Sequence, residues 1–224
     1  MASMHEAGRF PKALRLSWNE VEGLLWDMAG SIRRDGYDPE VIIAVARGGL
    51  VPARILADYL QKKYLCTFQM GHWHDDATLE DAPRIVFPMP EVDLSDKRVL
   101  VVDDVSDEGC TMEGVVAYLR GKVESIRTAV VVSKAQPRLR ADYSAMTIDE
   151  WRWVFFPWSL HEDLLSFTEQ VLNATGGATA EDIVRILGES MSVDIARHEI
   201  ERVLADMQRS GEVKEDGNRV WTLI

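Results

Sequence analysis

The chain has 224 residues, 46% of them hydrophobic, and a formal net charge of −12. This length allows one domain of average size plus a small appendage, and the apolar fraction is sufficient for a packed core. The acidic balance argues against broad, nonspecific attraction to nucleic acid phosphates, so an anionic substrate would need local positive groups and metal ions.

Targeting and redox features favour a cytosolic protein. No apolar run approaches the roughly 18 residues of a membrane span, and Arg9, Lys12 and Arg15 interrupt any apolar signal-peptide core. Cys66 and Cys110 occur in dissimilar contexts, so we expect reduced thiols rather than a disulfide.

Helical and strand patterns alternate along the first two thirds of the chain, which predicts an α/β fold with a parallel sheet. The first helix begins at a capping box, Ser17 to Glu20, and ends before Gly36. The following elements are predicted as strand 41–45, helix 50–60, strand 64–70, strand 85–87, strand 99–102, helix 112–120 and strand 126–132.

The C-terminal residues predict a separate small module. Residues 173–179 are typical of a linker, and they precede a capped helix to about 187, a second helix over 193–209 and a hairpin over 211–224. We therefore divide the chain into domains 1–172 and 173–224.

The helix, helix, hairpin order of the C-terminal domain resembles a reduced winged-helix module. Six basic and ten acidic residues give its last 51 residues a net charge of −4, which disfavours DNA binding and favours an interaction or oligomer-stabilising role.

The strongest motif joins an apolar strand to a loop of small residues. Val99 to Val102 run directly into Asp103 and Asp104, and residues 106–111 then lead into a helix. Open α/β sheets place ligands at the carboxyl ends of their strands, where backbone N–H groups and a helix N-terminus bind anions. Two adjacent carboxylates can hold the two hydroxyls of a ribose while the loop holds its 5′-phosphate. An ordinary turn with solvated acids is the alternative.

A second loop carries Arg47, Gly48 and Gly49 between a strand and a helix. Its backbone amides and its guanidinium can converge on a second anion. Taken alone, this pattern equally suits a glycine-rich turn that permits tight packing. Its position one strand-helix-strand unit before the acid pair favours the anion site.

These two loops resemble known motifs. The hydrophobic run, two acids and Asp-Glu-Gly-Cys-Thr resemble the motif of type I phosphoribosyltransferases that binds 5-phosphoribosyl 1-diphosphate (PRPP). Arg-Gly-Gly-Leu-Val-Pro-Ala resembles the pyrophosphate loop of their 6-oxopurine branch, the xanthine-guanine and hypoxanthine-guanine enzymes. The resemblance covers about residues 15–165, and it implies a parallel sheet flanked by helices, with a hood.

The resemblance also implies roles for single residues. The PRPP-binding residues would be Asp103, Asp104, Ser106, Asp107, Glu108, Gly109, Cys110 and Thr111, with Arg47, Gly48 and Gly49 on the diphosphate. Asp103 and Asp104 would hold the ribose hydroxyls and, mostly through PRPP and water, Mg²⁺. Asp107 would be the general base near N7 of the purine.

The purine site is implied by a third pattern. Lys134 ends a strand and would donate to the 6-oxo group, Trp153 would stack on the ring, and Val154 would offer backbone groups to the purine edge. The alternatives are core packing for Trp153 and a solvated loop for Lys134.

Two positions depart from the family pattern. Glu108 replaces the usual threonine, and a carboxylate beside a phosphate is repulsive unless its side chain turns outward. The lid segment 71–76 lacks the family's Ser-Tyr pair. It contains His72 and His74, for which a structural metal is the weaker alternative to a lid.

The sequence therefore predicts an enzyme that forms a purine nucleoside 5′-monophosphate and diphosphate from PRPP and a 6-oxopurine. Xanthine, guanine and hypoxanthine stay open as the base. We expect a homo-oligomer, a dimer or tetramer, with no membrane and no nucleic acid partner. The alternative is a regulator that senses PRPP and uses the C-terminal module to bind DNA or protein.

Overall fold

A computed structural model of the chain describes residues 10–73, 79–89, 91–134 and 139–224, without the side chains of residues 71–73 and 79–83. None of the helices in these ranges is long and apolar enough to cross a bilayer. The elements in chain order are β1 (Ala13–Arg15), α1 (Trp18–Arg34), β2 (Val41–Ala46), α2 (Leu50–Tyr59), β3 (Tyr64–Trp73), β4 (Leu79–Phe87), β5 (Leu94–Ser106), α3 (Cys110–Leu119), β6 (Val123–Lys134), β7 (Tyr143–Ile148), β8 (Trp153–Phe155), α4 (Leu160–Thr175), α5 (Ala180–Met191), α6 (Arg197–Ser210), β9 (Val213–Glu215) and β10 (Trp221–Leu223).

These elements form two compact units. The sheet unit comprises Trp18–Trp151, and the terminal unit combines the chain up to Ser17 with Arg152–Ile224. These boundaries differ from the division into 1–172 and 173–224, since β8 and α4 belong to the same compact unit as the C-terminal elements. Independent folding of 173–224 stays a prediction.

The sheet unit confirms the predicted α/β class. Its six strands lie in the order β4-β3-β2-β5-β6-β7, and all neighbouring pairs are parallel except β3 with β4. Every predicted strand and helix of residues 17–132 is present, most of them longer than expected. The strand β7 was not predicted, because its residues mix polar and apolar side chains and lack a continuous apolar run.

The connections reverse direction at the centre of this sheet. The crossover from β2 leads through α2 to β3 on one side, while the crossover from β5 leads through α3 to β6 on the other. Parallel crossovers are almost always right-handed, so these two helices cover opposite faces. The point between β2 and β5 is therefore a topological switch point, where open α/β sheets bind ligands.

The strand residues alternate between the two faces, which explains the continuous apolar runs. Ile43, Val99 and Val101 pack with Met112 and Val115 of α3 in one buried cluster. Their neighbours in sequence point to the opposite face and are equally buried. Both faces of these strands are thus shielded from water, and their polar ends are left at the sheet edge.

The terminal unit begins with a two-stranded parallel pair, β1 with β8. Leu16 donates its backbone N–H to the Phe155 carbonyl (3.0 Å), and Trp153 donates to the Lys12 carbonyl (2.9 Å). The rings of Trp153 and Phe155 pack on Phe167 of α4, with centroids 5.3 and 5.8 Å apart. This aromatic group anchors the strand pair on the helix.

The C-terminal part shows the predicted order of two helices and a hairpin. Thr179 and Asp182 form a reciprocal capping box at the start of α5, with the Asp182 N–H donating to the Thr179 hydroxyl (3.1 Å). The strands β9 and β10 pair antiparallel around the turn at Asp216. Buried residues of α5 and α6 pack in one cluster with Phe167 and other residues of α4.

The predicted linker 173–179 is wrong over its first residues. Residues 173–175 continue α4, which ends at Gly176 with φ +73°. Ala178 is buried and pairs with Trp221 through two backbone hydrogen bonds of 3.0 and 2.9 Å. The glycines therefore form a tight, packed helix end, which a composition pattern does not distinguish from a flexible tether.

Candidate active site

The two predicted loops lie next to each other at the switch point. Gly48 and Gly49 follow β2, and Asp103 and Asp104 lie near the end of β5, which pairs with β2. A Cβ atom at Gly48 would lie 2.2 Å from a carboxylate oxygen of Asp104, and one at Gly49 would lie 2.4 Å from the Val102 carbonyl oxygen. Both glycines are required by this close approach, which brings the Arg47 loop against the acid pair.

The acid pair is held in a partly buried position. The Asp103 carboxylate accepts the backbone N–H of Asp104 at 2.9 Å. Burial of Asp103, with the adjacent charge of Asp104 adding to it, raises the pKa of the Asp103 carboxyl well above its usual value. The site therefore disfavours negative charge on Asp103 until a hydroxyl or a cation compensates it.

The loop predicted to bind phosphate contains a buried hydroxyl. Ser106 is buried, and its Oγ has no hydrogen-bond partner within the described residues. Gly109 adopts φ +83°, a left-handed conformation that favours glycine, immediately before α3 begins at Cys110. An orphaned buried hydroxyl beside a helix N-terminus fits an anionic ligand, because buried polar atoms are normally hydrogen-bonded.

The Glu108 side chain is exposed, and its Oε2 lies 4.0 Å from the Cys110 Sγ. The orientation of this carboxylate away from a bound phosphate stays a prediction. Cys110 and Thr111 are half-buried at the first turn of α3, where backbone N–H groups lack helical partners.

Asp107 lies beside two donors. The Lys134 ammonium is 3.2 Å from Asp107 Oδ2, and the Trp151 indole N–H donates to the same oxygen at 2.9 Å. The Lys134 Nζ also lies 4.2 Å from the centroid of the Trp151 ring. These three side chains form a closed group at the carboxyl edge of the sheet.

Lys134 is 8% exposed, so it does not lie in a solvated loop. Burial lowers the pKa of its ammonium, and the hydrogen bond and charge of Asp107 oppose that shift only in part. A buried lysine at the end of β6 can offer its charge to a polar ligand with little competition from water.

Trp151 was not identified from the sequence, although a signal existed. Lys134 is the register partner of Ile148 in the parallel pair β6 and β7. The carboxyl ends of parallel strands meet at one edge of a sheet, so an aromatic residue three positions after Ile148 lies near Lys134. Only the pairing partner of β6 was missing from the sequence interpretation.

Trp153 and Val154 lie in β8 of the terminal unit. The Trp153 ring packs in that unit's cluster, as the core-packing alternative expects, and within the described residues its buried Nε1 has no hydrogen-bond partner. Val154 is buried. Their roles on a purine stay predictions.

Arg47 and the lid segment 71–76 also belong to the predicted site. Arg47 is exposed at the turn before α2. The lid segment 71–76 falls outside the described residues from 74 onward, and the His72 side chain is not described either. In the part of the chain that is described, no group of three or more His, Cys, Asp or Glu could hold a metal ion.

Comparisons with known proteins agree with this geometry. The sequence model of a family described as the phosphoribosyl transferase domain matches residues 16–163. The xanthine-guanine phosphoribosyltransferase of Ruegeria sp. (strain TM1040) is 28% identical over 168 residues, which cover 70% of this chain and 93% of the relative. The corresponding enzyme of Roseobacter denitrificans is 27% identical over 173 residues, with the same shares.

A solved structure supports the same family. The purine phosphoribosyltransferase from Pyrococcus horikoshii Ot3 matches with a TM-score of 0.57 and 33% identity, covering 66% of this chain and 93% of that one. The match to the family model contains both loops, the acid pair and Lys134, while α5, α6, β9 and β10 lie beyond it. The chain therefore belongs to the type I phosphoribosyltransferase family, in its 6-oxopurine branch.

Proposed function

We propose that this protein transfers the phosphoribosyl group of PRPP to a 6-oxopurine base, giving the purine nucleoside 5′-monophosphate and diphosphate in purine salvage. The observation that carries the proposal is the close approach of Gly48 to Asp104 at the switch point, which brings the proposed diphosphate loop against the proposed ribose site. The named relatives support the substrate class, since they are xanthine-guanine or purine phosphoribosyltransferases.

In this proposal the substrate lies across the two loops. The 5′-phosphate binds residues 106–111, where the buried Ser106 hydroxyl and the N-terminus of α3 supply donors. The ribose hydroxyls bind Asp103 and Asp104. The leaving diphosphate binds the Arg47 guanidinium and the backbone of Gly48 and Gly49.

The acid pair also fits Mg²⁺ held mainly through substrate and water. Two adjacent carboxylates are available, and Mg²⁺ commonly uses one or two carboxylates together with substrate phosphates and water. The raised pKa of Asp103 indicates a site where a cation would relieve unfavourable charge. When bound, the ion would neutralise charge on the diphosphate.

Asp107 and Lys134 serve the base. As the bond from C1′ to the diphosphate oxygen breaks and N9 of the purine bonds to C1′, Asp107 takes the proton from N7. Lys134 donates to the 6-oxo group and thereby orients the base and polarises its carbonyl. By motif alone, Trp153 is assigned ring stacking on the base and Val154 backbone contacts with it.

The regulator alternative gains no support from the relatives or from the site. The C-terminal net charge of −4 opposes electrostatic attraction to DNA. Assembly into a dimer or tetramer and a cytosolic location are parts of the proposal that rest on the sequence.

The test is diphosphate release from PRPP with Mg²⁺ and one purine at a time. We expect turnover with xanthine, guanine or hypoxanthine and none with adenine, whose 6-amino group cannot accept a hydrogen bond from Lys134 as a 6-oxo group does. Absence of turnover with all 6-oxopurines, together with PRPP-controlled retention of genomic DNA fragments, would support the regulator instead.

A further inference from the structure

We propose that Trp151 is a positioning residue that holds the Asp107 carboxylate and the Lys134 ammonium in the geometry needed for base transfer. This inference rests on the proposed function. Trp151 belongs to neither loop motif and precedes the Trp-Val pair on which the family resemblance places purine contacts.

The geometry gives Trp151 two separate contacts with the base site. Its indole N–H donates to Asp107 Oδ2 at 2.9 Å. Its ring lies under the Lys134 ammonium, with 4.2 Å between Nζ and the ring centroid. Lys134 itself reaches the same Asp107 oxygen at 3.2 Å. The two donors therefore meet on Oδ2, and we assign Oδ1 to the purine N7–H.

Asp107 needs such a support because of where it lies. It is in the loop between β5 and α3, and 46% of its side chain is exposed, against 10% for Lys134. An exposed loop carboxylate samples several rotamers, whereas a general base must lie within hydrogen-bond reach of its proton. An indole has one N–H donor on a rigid ring, so it restricts the carboxylate to one orientation.

The fold supplies Trp151 from a different strand than its partners. Lys134 ends β6, Asp107 follows β5, and Trp151 follows β7, the neighbour of β6. The three strands are parallel, so their carboxyl ends lie at one edge. Trp151 is half exposed, so its contacts with Asp107 and Lys134 do not result from burial in a core.

The first test compares Trp151→Phe and Trp151→Ala with the wild type. Trp151→Phe keeps an aromatic face and removes the N–H, so we expect kcat to fall about 10-fold or more, as for loss of a charge-assisted hydrogen bond, with the KM for PRPP within about 2-fold of wild type. Trp151→Ala also removes the ring, and we expect the KM for the 6-oxopurine to rise. Trp151→His restores a ring N–H donor and should recover part of kcat.

Trp26→Phe is the matched control. Trp26 is also an exposed tryptophan of the sheet unit, on α1, where its ring packs edge-on against Tyr59 at 5.2 Å. That ring contact involves no proposed site residue, so this variant should keep wild-type kcat and both KM values. Thermal unfolding of each variant checks that the fold is intact.

The second test asks whether Trp151 acts through Asp107. Trp151→Phe is combined with Asp107→Ala, and we expect its effect on kcat to shrink below about 2-fold in the absence of the carboxylate. A residue with a purely structural role would reduce kcat by the same factor in both backgrounds, and that result would overturn the inference.

The other possible results also test either the role of Trp151 or the proposed function. Unchanged kcat in Trp151→Phe overturns the inference while leaving the proposed function intact. So does a rise in kcat, because it would mean that the indole N–H competes with the purine for Asp107. A wild-type enzyme that releases no diphosphate with any purine overturns the proposed function, and the role of Trp151 with it.

Discussion

The carboxyl of Asp103 lies where the fold disfavours its charge. Because its pKa is raised above the ordinary 3.8, this carboxyl destabilises the folded state progressively as the pH rises above 3.8, and fully once the pH exceeds the raised value. We expect Asp103→Asn to raise the unfolding temperature at neutral pH, by ~2–4 °C for each kcal/mol relieved, and to weaken binding of PRPP with Mg²⁺. Thermal unfolding with and without substrate measures both effects.

Unfolding temperatures measured at several pH values check the sign of this effect. As the pH falls from the raised pKa toward the ordinary 3.8, this destabilisation is lost, so the difference between Asp103→Asn and wild type should shrink in acid. Asp96→Asn is the control, since Asp96 lies on the surface beside Lys97 (3.1 Å) and exposed ion pairs contribute little. A lower unfolding temperature for Asp103→Asn at neutral pH would contradict the prediction.

Lys134 should lose its charge at a lower pH than an ordinary lysine, because burial lowers its pKa. The KM for the 6-oxopurine should therefore rise as the pH increases toward the usual lysine range, while Lys134→Arg should flatten this dependence.

Lys134→Ala removes a charged hydrogen bond worth about 1.5–3 kcal/mol, so we expect kcat/KM for the base to fall at least 10-fold. A change in the KM for PRPP alone would assign the lysine to the phosphate sites.

Asp107→Asn should reduce turnover far more than PRPP binding. The amide keeps the shape of the carboxylate beside Lys134 and Trp151 but removes the base, and general acid–base contributions typically amount to ~10²–10⁴-fold. Steady-state kinetics with varied PRPP separates kcat from KM. Wild-type turnover with every purine would exclude Asp107 from proton transfer.

At the scale of elements, the glycine pair sets the distance between the loop after β2 and the end of β5. Gly48→Ala places a methyl group within 2.5 Å of both Asp104 carboxylate oxygens, so that carboxylate must move. We expect PRPP affinity to fall at least 10-fold with a small loss of stability. Isothermal titration with PRPP and Mg²⁺ measures the affinity.

Gly49→Ala should mainly reduce stability, whereas Gly48→Ala should mainly reduce PRPP affinity. Its methyl group would meet two backbone carbonyl oxygens, of Val102 and Val45, at 2.4 and 2.6 Å, so strands rather than a side chain must shift. We expect a clear drop in unfolding temperature. Gly23→Ala in α1 has no atom within 4 Å of the new methyl group and should be neutral or slightly stabilising. Equal effects of all three variants would refute the steric explanation.

At the scale of the whole molecule, the C-terminal helices form part of a hydrophobic core that also contains α4 and β8. Leu187 and Val203 are fully buried in the cluster that also contains Phe167 of α4 and Phe155 of β8. Truncation after Asn173 removes α5 and α6 and exposes this face of α4. We expect the truncated chain to unfold at lower temperature and to lose purine affinity more than PRPP affinity, since β8 carries the proposed purine contacts.

A milder variant tests the same point in the full chain. Leu187→Ala should reduce stability by about 2–5 kcal/mol without changing the KM for PRPP. A truncated chain with wild-type unfolding temperature and wild-type kinetics would show that residues 174–224 form an independent module, as the sequence interpretation expected.

The sequence was most informative where a contact joins residues that are close along the chain. An apolar strand, two acids, a glycine and a helix start are local features, so the loop at residues 103–111, which we propose binds phosphate, could be located from pattern alone. The same holds for the capping box of α5 and for the hairpin turn, whose hydrogen bonds join near neighbours.

By itself, the sequence determined the α/β class, the positions of the two loops at strand ends and the presence of Lys134 at a strand end, because periodicity and glycine position act over a few residues. Only the tertiary structure decided that Trp151 meets Asp107, that Gly48 abuts Asp104, and that residues 173–224 share a core with α4. Those contacts join residues far apart in the chain, and strand order and helix packing set their distances. A local pattern carries no information about either.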